Sequence, residues 1–308
     1  MMLILFGVFF AGLVIFHLLE PVAPIHTTYK PGVTRKGYFA DVISTIVVGP
    51  GLDGLTKLGA LWLILLIPAQ WQAMHKLGWA GQFLIYFLVN DLARYWLHRW
   101  YHEFDFLWRI HRVHHTIVEM DALSVFRMHF LEAIIKNCVI TLPFRLIGTD
   151  DSVMIVYSAI DILKGFWHHA NLRTYIGPLN YILNSAELHW WHHSVEAKGQ
   201  RANYGSILSV WDWLFRTAYW PKGQWPEKIG VEGMDHFPND YIGQMLSIAK
   251  TDEEIYSSAP GKTEDPPRES SPNNVPAAAS TNAAASTNAA ASANVSASAS
   301  ANVPVPQT

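Results

Sequence analysis

The chain has 308 residues, of which 22 are basic and 25 acidic, half are apolar, and the formal net charge is −3. A charged fraction of 15%, against the ~25% of an average soluble domain, argues with 13 Trp, 12 Tyr and 15 Phe against a typical cytosolic enzyme and against a disordered polypeptide. There is no basic footprint for nucleic acid. The single cysteine, Cys138, excludes an intrachain disulfide framework and any cysteine-based zinc or iron–sulfur site, and reads as a small buried apolar residue.

In chain order, residues 2–19 are almost uniformly apolar and about long enough to cross a bilayer as a helix. They lack a basic n-region and a small-residue cleavage site, which predicts an anchor and not a secretory signal. A second apolar stretch runs 42–69, interrupted by the turn GPGLDG at 49–54, and a third begins at Trp79 and runs into NDLARYWLHRWYH. Segments 130–147 and 152–168 read as a hairpin turned at Gly148-Thr149-Asp150-Asp151. Glu132 and Lys136 are expensive in lipid, so a buried soluble hairpin is the alternative there. The expected fold class is therefore all-α and multi-pass transmembrane, with about four to five membrane segments and a His-rich helical cap.

Basic residues set the expected orientation. Lys30, Arg35 and Lys36 follow the first span, and Arg94, Arg99, Arg109, Arg112 and Arg127 end or follow the third. Because Lys and Arg favour the cytoplasmic side, the cap is expected to face the cytoplasm, in a bacterial inner membrane or the endoplasmic reticulum. The Trp-rich stretch 190–225 suits a headgroup region, with core packing as the alternative. From residue 257 the sequence becomes Ala, Ser, Asn, Thr and Pro with a six-residue repeat and no aromatic residue, which predicts a disordered tail. The expected organisation is N-terminal anchor segments over 1–78, a catalytic domain over 79–235, an extension over 236–256, and the tail over 257–308.

Ten of the 15 histidines fall in four short segments. His98 and His102 form HxxxH; His111, His114 and His115 form HxxHH; His189, His192 and His193 form HxxHH again; His168 and His169 are adjacent. On a helix, positions 0, 3 and 4 project from one face, so each triplet points several imidazoles the same way. A hydrophobic core has no use for that, and a metal does. The three strict boxes supply more ligands than one ion takes, which favours two metals. Imidazole suits iron, zinc, copper and nickel alike. No ExxH motif occurs, which disfavours a soluble carboxylate di-iron bundle.

This order of boxes resembles the fatty acid hydroxylase/sterol desaturase superfamily of integral-membrane di-iron oxygenases. Asp91 and Tyr95 before the first box, RMHFLE at 127–132, HHAN at 168–171, GPLN at 177–180, NYG at 203–205 and WDWLF at 211–215 add to the likeness, which covers about residues 80–235. Phe130 stands where Pro is usual, and Lys164 or Gly165 where some relatives carry a further His. The resemblance implies two iron ions, with zinc as a substitute in purified protein, held by His98, His102, His111, His114, His115, His189, His192 and His193. One or both of His168 and His169 would complete the set, with His169 favoured. His129 matches the family pattern without being an obvious ligand. Asp91 is expected to pair with Arg94 or to tune the site from outside, and Glu187, Asn171 and Asp212 are candidate partners for the second ring nitrogens.

The implied function is hydroxylation or desaturation of a lipid C–H bond with dioxygen. The substrate would come from the membrane, and the electrons from a separate reductase or small redox protein, since no haem, flavin or iron–sulfur motif appears. No catalytic side chain beyond the metal centre is expected. The alternative class is a His-rich membrane metal transporter or metal-binding protein, whose ligands should lie in mid-membrane along a path. A zinc metallohydrolase is disfavoured by the lack of HExxH.

Overall fold

A computed structural model describes residues 2–28, 35–48, 73–234 and 236–257. The second half of the second apolar stretch and the Ala/Ser/Asn tail lie outside the described residues. Eight helices carry the architecture: α1 (Met2–Leu19), α2 (Tyr38–Ile46), α3 (Trp79–Glu103), α4 (Asp105–His115), α5 (Phe130–Lys136), α6 (Leu142–Leu146), α7 (Asp151–His169) and α8 (Ala186–His192). Among the described residues there are no strands, only two isolated antiparallel bridges, Leu183 with Leu208 and Ser194 with Ile229. The all-α expectation holds.

Local chemistry explains the helix boundaries. Asp150 accepts from the Ser152 backbone N–H at 2.7 Å and starts α7, and the Ser185 hydroxyl accepts from Leu188 N at 3.3 Å and starts α8. Each cap satisfies one of the donors a helix start leaves unpaired. Between α3 and α4 a single residue, Phe104, leaves the helical region with φ −106 and ψ 122. That break folds α4 back against α3 and brings the first two histidine boxes together.

Apolar faces then fix the layers. Phe9 of α1 lies 5.5 Å from Phe166 of α7, ring centre to ring centre, and Leu13 and Phe16 join them over buried Ala122 and Ala170. On the other side, Tyr86 of α3 meets Phe144 of α6 at 4.7 Å and Tyr157 of α7 at 5.2 Å, both edge to face. Val113 of α4 packs with Met234, Phe237 and Ile255 from the C-terminal segment. Arg112, fully buried, donates to the Ser247 and Lys250 carbonyls at 2.6 Å each and pairs with Asp252, which fastens that segment down.

No described helix is long and apolar enough to cross a membrane. The 18 residues of α1 rise about 27 Å, short of a hydrocarbon core of about 30 Å. Segment 130–147 is not one helix: α5 gives way to a π-helical turn at Asn137–Thr141, and α6 restarts with Pro143 in its first turn. The proline has no N–H to continue the ladder. In α3 and α7 the inward faces carry Asn90, Asp91, His98, Lys164, His168 and His169. Cys138, on the π-helical turn, is exposed and not buried.

Candidate metal centre

Nine of the ten box histidines converge in two groups. His98, His102, His111, His115 and His192 form one; His114, His169, His189 and His193 form the other; within each group the ring nitrogens lie within 4.8 Å of one another. The division follows from the helical turn. Successive residues are about 100° apart, so in each HxxHH the i, i+4 pair stays together while the His between them swings away. On α4, His111 and His115 enter the five-membered group and His114 the four-membered one; on α8, His189 and His193 enter the four-membered group and His192 the five-membered one. The two helices thus exchange one imidazole each.

The proton positions show what these nitrogens are for. His98 Nδ1 donates to the Tyr204 carbonyl at 2.9 Å, His192 Nδ1 to the Ala202 carbonyl at 2.7 Å, and His111 Nδ1 faces Glu132 Oε2 at 3.1 Å. His114 Nδ1 donates to the Arg127 carbonyl at 2.9 Å and His169 Nδ1 to Gly165 at 3.0 Å. A neutral imidazole has one N–H, so in these rings Nε2 carries only a lone pair. Yet the Nε2 atoms face each other: His98 and His192 at 2.9 Å, His98 and His111 at 3.1 Å, His114 and His169 at 3.1 Å. Lone pairs aimed at one another repel unless a cation lies among them. His102 Nε2, buried, has no hydrogen-bond partner among the described residues. Burial also keeps the rings neutral, pushing His111 down to about 3 and His114 to about 4, and His115, His192 and His193 well below the usual imidazole range. Neutral imidazole is the form that binds metal. The donor set fits two metal ions.

His168 stands apart. Its Nε2 donates to the Asn184 carbonyl at 2.6 Å, and its ring stacks on His189 at 4.8 Å; Lys164 Nζ contacts both His168 and Asn184. His129 is also outside both groups: its Nδ1 accepts from Leu131 N at 3.2 Å, starting α5, and its Nε2 donates to Met245 O at 3.0 Å.

The carbonyl acceptors are themselves held. Asp91 does not pair with Arg94, which instead meets Asp161 at 2.5 Å. Asp91 accepts from Ile207 N at 2.8 Å, Leu208 N at 3.1 Å and Trp211 Nε1 at 2.9 Å. Asp212 accepts from Tyr204 N and Gly205 N at 2.8 Å each and from the Thr217 hydroxyl at 2.7 Å. Burial pushes its carboxyl up to about 7. These two carboxylates fix the loop 202–209 whose carbonyls receive the His98 and His192 protons. On the opposite side Arg127 is gripped by Asp41 at 2.6 Å, and Asp41 and Asp121 both pair with Arg35, at 2.6 and 2.5 Å. That buried network holds the carbonyl of Arg127 against His114.

Of the partner candidates expected from their place beside the boxes, none bonds a ring nitrogen of the two groups. Glu187 accepts from Asn180 Nδ2 at 2.8 Å and Gly223 N at 2.9 Å, and Asn171 from Ile25 N and His26 N at 2.9 Å each. Glu132 is the partner that motif reading misses. Among the tryptophans, Trp190 is fully buried, 5.4 Å from the His26 ring and stacked on it, and Trp211 and Trp213 are tied to Asp91 and Asn180. Trp190 and Trp191 are internal, Trp211, Trp220 and Trp225 are half-buried, and Trp213 is exposed. A cavity of about 190 Å³ opens beside both histidine groups, bordered by Tyr101, Met128, Glu132, Lys136, Lys164 and Tyr204.

All ten candidate histidines lie inside residues 83–217, the part of the chain that matches the fatty acid hydroxylase family. The chain is similar to the ornithine lipid hydroxylase OlsE of Rhizobium tropici, at 28% identity over 73% of this chain and 70% of that protein. An alkylglycerol monooxygenase of Danio rerio is 32% identical over 48% of the chain, and methylsterol monooxygenase 1-1 of Arabidopsis thaliana is 25% identical over 44%. The chain spans 33% of that alkylglycerol monooxygenase and 46% of that methylsterol monooxygenase. No solved structure matches it. The histidine boxes of this chain lie in the same region that the family match covers.

Proposed function

We propose that this oxidoreductase uses dioxygen and electrons from a separate donor to hydroxylate, or desaturate, a C–H bond of a membrane lipid. The observation that carries the reading is the pair of imidazole groups with facing, unprotonated Nε2 atoms next to one cavity. His98, His102, His111, His115 and His192 would hold one iron, and His114, His169, His189 and His193 the other; zinc would fit the same rings in purified protein. When bound, the metal pair supplies the oxidation of an unactivated C–H bond, which no ordinary side chain achieves. The chain's own part is to keep the Nδ1 protons of His98, His111, His114, His169 and His192 on their carbonyls or carboxylate, hold the rings in register, and bring the lipid to the cavity while excluding water.

A bilayer setting is proposed for the same reasons of surface chemistry. Leu3, Phe10, Val14, Ile15 and Leu18 of α1, and Leu84 and Val89 of α3, are exposed large apolar side chains, more than water tolerates on a monomer. The Lys and Arg distribution favours the cytoplasmic side for the histidine groups. The relatives named as hydroxylases and monooxygenases of lipids support the lipid substrate.

The test is expression of the full chain, with and without His111→Ala, followed by mass spectrometry of cellular lipids and metal analysis of the purified protein. A lipid gaining one oxygen or losing two hydrogens, in the wild type alone, supports the oxygenase. A protein that binds metal but changes no lipid, with a competent reductase and air present, sinks it in favour of a metal-binding or transport role.

A further inference from the structure

Five charged side chains border the cavity beside the histidine groups: Arg94, Glu132, Lys136, Asp161 and Lys164. Four of them are engaged. Arg94 pairs with Asp161 at 2.5 Å and donates to the Tyr157 hydroxyl at 3.3 Å. Glu132 meets His111 at 3.1 Å. Lys164 contacts His168 and the Asn184 carbonyl. Lys136, half-buried at the end of α5, has neither an ion pair nor a hydrogen bond to its ammonium group among the described residues. An ammonium partly withdrawn from bulk water without a partner is costly, and a chain that keeps one in the lining of its cavity gains by meeting an anion there.

The size of the cavity bears on what that anion is attached to. About 190 Å³ is below the roughly 300–1,000 Å³ of ordinary small-molecule sites, too small for a whole long-chain lipid. The cavity lining is mostly apolar with charged side chains set into it, so a polar group with the first few carbons of the chain fits, and the rest of the tail remains outside.

We propose that Lys136 is a specificity-determining residue: its ammonium binds the anionic group, carboxylate or phosphate, of a lipid that is oxidised within a few bonds of that group. The inference rests on the oxygenase reading for the oxidation step, but the binding itself needs no turnover. A Lys contact is a point charge with three donors, without the fork that would demand a planar acceptor, so both anion types are accommodated. Charge-assisted hydrogen bonds are worth enough to give roughly a tenfold preference.

The experiment uses the purified full chain in a neutral detergent and measures dissociation constants by titration calorimetry for octyl phosphate, octanoate, octanol, octyltrimethylammonium and inorganic phosphate. Octyl phosphate and octanoate should bind about tenfold more tightly than octanol. Lys136→Met should abolish that preference without weakening octanol, and Lys136→Arg should keep it. Equal binding of octanol in the wild type, a preference for the trimethylammonium compound, or an anion preference that survives Lys136→Met overturns the proposal. Inorganic phosphate binding as tightly as octyl phosphate also overturns it, by showing a free-anion site. Should Lys136→Met not fold, Lys136→Gln takes its place in the same series, and a wild type without anion preference overturns the proposal on its own. Should the anion preference hold while no lipid is oxygenated, the oxygenase reading fails alone; should lipids be oxygenated without any anion preference, the Lys136 assignment fails alone.

Discussion

His192 and His98 meet with their Nε2 atoms 2.9 Å apart, although they come from helices at opposite ends of the catalytic region. Each has its proton on Nδ1, directed at the carbonyls of Ala202 and Tyr204. The contact is therefore acceptor against acceptor, and its stability depends on a shared cation. His192→Ala, which leaves four imidazoles in the five-histidine group and all four in the other, is expected to weaken the first site and so lower the metal content of the purified chain from about two ions toward one. His168→Ala, which leaves both groups intact, should retain both ions. Elemental analysis of the two variants checks this, and a loss of metal in His168→Ala would contradict the grouping.

Glu132 is the only carboxylate that faces a ring nitrogen of either group among the described residues. Partners of this kind fix the ring and raise its basicity, and their loss typically costs 10–100-fold in metal affinity or activity. Glu132→Ala should show that loss in a competition titration with a chelator. Glu132→Gln, which keeps a carbonyl oxygen for the His111 N–H, should fall between the Ala variant and the wild type. Equal affinities for all three would remove Glu132 from the site.

The histidine boxes are legible in the sequence because their spacing is a local property of the helix: His111, His114 and His115 share a face before any tertiary contact exists. Their assignment to two groups is not, since it depends on how α4 and α8 cross. Nor are the acceptors of the ring protons legible. Ala202, Tyr204, Arg127 and Gly165 act through backbone carbonyls, which every residue has, so no residue type announces them. Asp91 is singled out by its motif, but its donors lie 116 to 120 residues away. Hydropathy is silent on the site for a related reason. A window average does not see that Asp91 and His98 of α3 lie among apolar letters and turn inward to the site. All-α architecture, set by helical periodicity and by the scarcity of strand signals, survives because it needs no long-range information.

The metal-free protein should lose stability in acid. Burial holds His111 at about 3 and His114 at about 4, and His115, His189, His192 and His193 well below the usual range. In the unfolded chain these rings take a proton near pH 6.5. The unfolded state therefore binds more protons as pH falls below that value, and stability present above pH 6.5 is lost progressively toward pH 3–4. Glu20 and Asp212 act in the opposite sense, because burial pushes both up to about 7 and their neutral forms are favoured on acidification. Burial raises Asp91 and Glu132 too, so four carboxyls oppose these six imidazoles, but His98, His102 and His129 are also lowered, so the net slope follows the histidines. Chelator-treated protein should unfold at lower urea concentration at pH 5.5 than at pH 7.5, with the metal-loaded protein shifted upward at both. A flat or reversed dependence for the metal-free chain would mean that these rings are not buried neutral in solution.

Asp91 provides the sharpest link between stability and the site. Its carboxylate accepts from two backbone N–H groups and one indole, all on the loop that presents Tyr204 to His98. Removing it leaves one buried and two part-buried donors without an acceptor, each at up to about 1–3 kcal/mol before relaxation. Asp91→Ala should thus destabilise the chain by roughly 3 kcal/mol or more, in the upper range for a point substitution. The damage should also be uneven. The carbonyls of Ala202 and Tyr204 serve only His192 and His98, which belong to the five-histidine group, whereas His114 and His169 are held from Arg127 and Gly165. Chelator competition on Asp91→Ala should reveal one weakened and one near-normal metal site, and Asp91→Asn, keeping one acceptor oxygen, a smaller version of the same pattern. If both sites weaken equally, the loop does not act through His98 and His192, and Asp91 is a general packing residue instead.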